Sequence, residues 1–156
     1  MNQIKSYLFI FLISFGVAGE IQYQPILLSG LITNPKQEIS GMDLYNDQIM
    51  LLPENLGGFL YMISKDEILN ALEKKDRIPI EPKQPAFHTP DYSKSIRGFE
   101  GLEAIAFNGN NVYITLESKD DETMRGYLAW GTIDPTTKEV TIPNKNLLEL
   151  ETPIQV

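Results

Sequence analysis

Residues 98–118, GFEGLEAIAFNGNNVYITLES, place Glu103 and Glu117 at the ends of two apolar runs separated by an Asn-Gly turn. The same layout occurs earlier in the chain. Asp43 follows Ser40-Gly41-Met42, and Glu54 closes the run Ile49-Met50-Leu51-Leu52-Pro53. If a fold brings these carboxylates to one point, they repel one another until protons are taken up or a cation sits among them. Calcium suits such a site, because it accepts roughly six to eight oxygen ligands in loose geometry, including ligands from separate strands. No Asp-x-Asp-x-Asp-Gly calcium loop is present, so a metal site here depends on convergence alone. The plain alternative is that strand-end glutamates solvate a rim or accept backbone amides.

Other chemistries have thinner support. The absence of cysteine excludes disulfides, thiol catalysis and cysteine-ligated metals. His88 is the only histidine, which excludes metal triads built on histidine. It sits in His88-Thr89-Pro90-Asp91-Tyr92 and reads as an exposed loop residue. There is no Gly-x-Ser-x-Gly elbow and no Gly-rich phosphate loop. Lys94 and Arg97 could meet an anionic substrate beside a metal, but as an isolated pair they read as surface charge. Lys119-Asp120-Asp121-Glu122 could gather a cation and reads instead as a solvated acidic loop. Tyr113 and Trp130 read as strand packing. Catalytic and substrate-binding residues are left unassigned.

The 156 residues, 42% hydrophobic and 22% charged, describe one domain or part of one. Thirteen basic against 21 acidic residues give a net charge of -8, so a nucleic-acid backbone or an anionic membrane surface would repel the chain. The partners this leaves are a small-molecule ligand or another protein. At the N-terminus, Lys5 precedes the apolar stretch YLFIFLISFGV, and Ala18 and Gly19 are small residues before Glu20. This is the pattern of a cleavable signal peptide over residues 1–19. The apolar stretch falls short of the roughly 20 residues that span a bilayer. The expected product is periplasmic or secreted, without a stable membrane anchor after cleavage.

Positioning the acids falls to short, β-like elements. Strands are expected near 26–28, 42–45, 48–52, 58–63, 102–107, 112–116, 127–133 and 139–142. Asn46-Asp47 and Asn108-Gly109-Asn110-Asn111 read as tight hairpins, and Asp134-Pro135-Thr136-Thr137 as another turn. Ser64-Lys65-Asp66-Glu67 has the capping-box form and opens one short helix at 65–74. Prolines 79, 82, 85 and 90 then impose a connecting loop carrying at most an edge strand.

The chain also repeats itself. Ser40-Gly41-Met42-Asp43-Leu44, a turn and 49–54 line up with Glu100-Gly101-Leu102-Glu103-Ala104, a turn and 112–117. Gly58-Phe59-Leu60-Tyr61 and Gly126-Tyr127-Leu128-Ala129 open a third strand in each unit. Such a repeat implies an all-β fold, an incomplete β-propeller of about two blades plus flanking strands of antiparallel meander, with the helix inserted near 65–74. The innermost strand of a blade lines the central channel, so Asp43 and Glu103 are expected to face each other across it. Glu54 and Glu117 form a second pair near one rim. A closed ring takes about four or more blades. Residues 20–156 are therefore expected to be the N-terminal part of a propeller domain, truncated, or a half-ring completed by self-association.

Gly101-Leu102-Glu103-Ala104-Ile105-Ala106-Phe107, with its Asn-Gly turn and 112–117, resembles the strand pair of the phytase-like esterase β-propellers (the family called esterase-like activity of phytase) and of related exported propellers. The resemblance covers about residues 38–142. It implies a metal-dependent hydrolase of phosphate or carboxylic esters, with calcium held by acids such as Glu103 and Glu117 and a bound water or hydroxide as nucleophile. The motif recurs in other propellers, including calcium-dependent lactonases. The alternative is a non-catalytic propeller that binds a ligand or another protein, which suits the lack of a clear nucleophile or phosphate clamp.

Overall fold

The computed structural model describes residues 25–54, 57–74 and 78–150. The expected signal peptide lies outside them. Asn46 and Asp47 adopt φ of 45° and 59° and join β1 (Ile39–Tyr45) to β2 (Gln48–Pro53). Positive φ at both central residues is the turn geometry whose twist matches an antiparallel pair. β3 (Tyr61–Ser64) adds to β2, completing a three-stranded antiparallel sheet. The expected strand at 58–63 starts late: Gly58, at φ 89°, interrupts it, leaving Phe59 with a single bridge to Ala86.

Helix α1 (Lys65–Lys74) has the bounds its cap implied. Ser64 Oγ accepts the Glu67 amide at 3.2 Å, while Glu67 Oε2 accepts the Ser64 amide at 2.9 Å and its hydroxyl at 2.7 Å. The proline-rich segment beyond it lies along the outer edge of β3, where Met62 and Lys83 exchange backbone hydrogen bonds at 2.8 and 2.9 Å and the Leu60 amide donates to Pro85. Proline suits this place, since an edge needs only some of its N–H groups. The expected strand at 26–28 reduces to one bridge, Leu28 to Ile80.

The second sheet begins at β4 (Phe87–His88), which runs parallel to β8 (Val140–Thr141). β5 (Phe99–Asn108), β6 (Asn111–Asp120) and β7 (Thr123–Ile133) form the second antiparallel meander, turned by Gly109 at φ 57° and Asp121 at φ 54°. β7 carries two short strands on its far edge, β8 at Thr132–Ile133 and β9 (Leu147–Leu150) at Gly126–Ala129. The described residues are mostly β with one α-helix, and the larger sheet curls into a half-barrel.

The core lies between the two sheets. β6 alternates Val112, Ile114, Leu116 and Ser118 inward with Tyr113, Thr115 and Glu117 outward. Met50 and Leu52 of β2 join Ile105, Ala129, Ile133, Val140 and Ile142 in the same buried cluster. Each large aliphatic side chain buried in this way contributes about 1.5–3 kcal/mol. Among the described residues, no helix is long and apolar enough to cross a membrane.

Candidate functional site

The site is built on the seam where β1 lies beside β5. These strands belong to separate sheets, yet contacts that climb both together, from Gly41 beside Ala104 to Asp43 on Phe107 and Tyr45 on Asn110, show that they run side by side in the same direction. Gly41 approaches the Ala104 and Ile105 backbone so closely that a β-carbon there would stand 2.9 Å from the Ile105 nitrogen. Two residues on, Asp43 Oδ2 accepts the Phe107 amide at 2.6 Å, and Oδ1 accepts the Leu44 amide at 2.7 Å. Two residues further, the Tyr45 hydroxyl donates to Asn110 Oδ1 at 2.8 Å, and its ring lies 5.3 Å from that of Phe107. Side chains thus do across the seam what a ladder does within a sheet.

At the other end of the seam the acids gather. Glu38 precedes β1 and Glu54 follows β2, and the Glu54 amide donates to the Glu38 carbonyl at 3.0 Å. The Glu38 side chain acts on the Glu54 carboxyl as well, raising its pKa. The Glu54 side chain lies over Gly101: its Cγ is 2.9 Å and its Oε1 3.1 Å from where a β-carbon would be. Glycine at 101 is what admits this side chain.

Gly101 in turn stands opposite Glu117, which faces Gly126 on its other side. The register of β5 against β6 shifts between Leu102 and Ala104, leaving Glu103 as the extra residue of a bulge. Bulges re-aim side chains, and this one replaces simple alternation at Glu103. Burial raises the Glu54 pKa, and the charges of Glu38 and Glu103, the hydrogen bond to Glu38 and the charge of Glu117 raise it further. Glutamates from both sheets therefore share one electrostatic neighbourhood.

The structure sets Glu54 within the electrostatic reach of Glu103 and Glu117 and engages Asp43 elsewhere, on backbone amides. The two strand-end acids are not register equivalents: Gly41 opposes Leu52, whereas Gly101 opposes Glu117. Glu38 escaped the sequence reading. Its signal was the Asn46-Asp47 turn, since counting back along the hairpin places Ile39 opposite Pro53 only if one residue bulges out near Ser40. The oxygen-only donor set suits calcium, but among the described residues no three Asp, Glu or His side chains are arranged to hold a metal ion.

The remaining candidates have structural roles. Lys94 pairs with Asp91 at 2.9 Å, and Arg97 Nε pairs with Asp120 at 3.1 Å, so both cations are already engaged by carboxylates. Exposed His88 lies in β4, where its carbonyl accepts the Ile142 amide at 2.8 Å. Tyr113 and Trp130 are cross-strand partners on the outward face, 37% and 36% exposed, and so are less enclosed than strand packing implied. In comparisons with protein-family models and with curated protein sequences, the chain matches none.

Proposed function

We propose that residues 38–142 form two adjoining blades of an exported β-propeller of the phytase-like esterase kind. In this reading the glutamate cluster captures a cation, calcium by its donor chemistry, in support of phosphate-ester or carboxylic-ester hydrolysis. The blade reading is supported by the two antiparallel meanders, each widened at its outer edge, and by the parallel course of their first strands. The observation that carries the cation reading is the Glu54 side chain laid over Gly101, which stands opposite Glu117, with Glu38, Glu103 and Glu117 all raising the Glu54 pKa. Such crowding is relieved by a proton or by a cation. Glu54, Glu103 and Glu117, with Glu38 beside them, are the residues that would hold the ion.

Titration calorimetry of the protein with calcium at neutral pH tests this, with Glu54→Gln, Glu103→Gln and Glu117→Gln alongside. Binding heat that the variants weaken, followed by calcium-dependent turnover of a phosphomonoester or a lactone, is the expected result. No heat, or binding that all three variants leave unchanged, refutes the cation site. A second reading, a non-catalytic propeller that binds a ligand or another protein, is favoured by the ion pairs that occupy Lys94 and Arg97. Calcium binding without turnover of either ester selects it.

A further inference from the structure

We draw no further inference here: the strongest candidate, the outward apolar face of the larger sheet around Ala106, Tyr113, Trp130 and Leu148, carries nothing because no observation in the structure shows what covers it.

Discussion

Asp43 and Phe107 are joined across the seam at 2.6 Å, carboxylate to backbone amide, where the two sheets share no ladder. Hydrogen bonds to a charged acceptor contribute more than neutral ones, and this carboxylate also holds the Leu44 amide. Asp43→Ala should cost about 1–3 kcal/mol in urea denaturation, and Asp43→Asn less, since an amide oxygen still accepts. Asp43→Asn should leave calcium binding heat intact, because the acid cluster lies at the other end of the seam. Unchanged stability in both variants would remove Asp43 as a tie between the sheets.

The two repeat glycines should differ in tolerance. An alanine at Gly41 meets the backbone of Ala104 and Ile105, which cannot turn aside, whereas one at Gly101 meets the flexible Glu54 side chain. Gly41→Ala is expected to destabilise by about 1–3 kcal/mol and Gly101→Ala by less. Carboxyl-carbon NMR titration should then find the Glu54 pKa of Gly101→Ala closer to its ordinary value, since the side chain must leave its place beside Glu38. Equal losses from the two substitutions would contradict the difference in contacts.

The raised Glu54 pKa has a definite sign in stability. The folded state holds this proton more tightly than the unfolded chain does. The corresponding stabilisation is complete below the ordinary glutamate value of 4.5 and is lost as pH rises through the higher folded value. Urea midpoints should therefore increase as pH falls from neutral toward 4.5, and Glu54→Gln should flatten that slope. Glu67 has the opposite sign, because hydrogen bonds from Ser64 lower its pKa, and its contribution fades in more acid solution. An unaltered pH slope in Glu54→Gln would place the titrating group elsewhere.

Two hydroxyls inside the core also allow a test. Tyr92 Oη and Ser118 Oγ are buried without a hydrogen-bond partner among the described residues. Burying an unmet polar group costs about 1–3 kcal/mol, so Ser118→Ala and Tyr92→Phe should be neutral or stabilising by about 1 kcal/mol in thermal or urea unfolding. Burial also pushes the Tyr92 phenol up from 10.0 to about 12. Its contribution is complete below pH 10 and is lost toward pH 12, a loss that Tyr92→Phe should remove. Ultraviolet phenolate titration reads the same group directly.

Local chemistry made much of the fold legible. Ser64 and Glu67 marked the start of α1 because a capping box is satisfied within one turn. Asn46, Asp47 and Gly109 marked hairpins because positive φ is cheap at those residues. Around 26–28 and 139–142 the paired residues are fewer than the apolar runs imply, since such a run forms strand only as far as a neighbouring edge can pair with it.

The sequence by itself determined two acid-bearing antiparallel units, a capped helix and a proline-bound edge. Only the tertiary structure decided where each acid is placed. Glu103 sits in a bulge, Glu54 reaches over Gly101, and Asp43 turns to the Phe107 amide. These outcomes depend on register shifts and on the approach of two separate sheets, which arise from packing across the seam rather than from the spacing of residues along the chain.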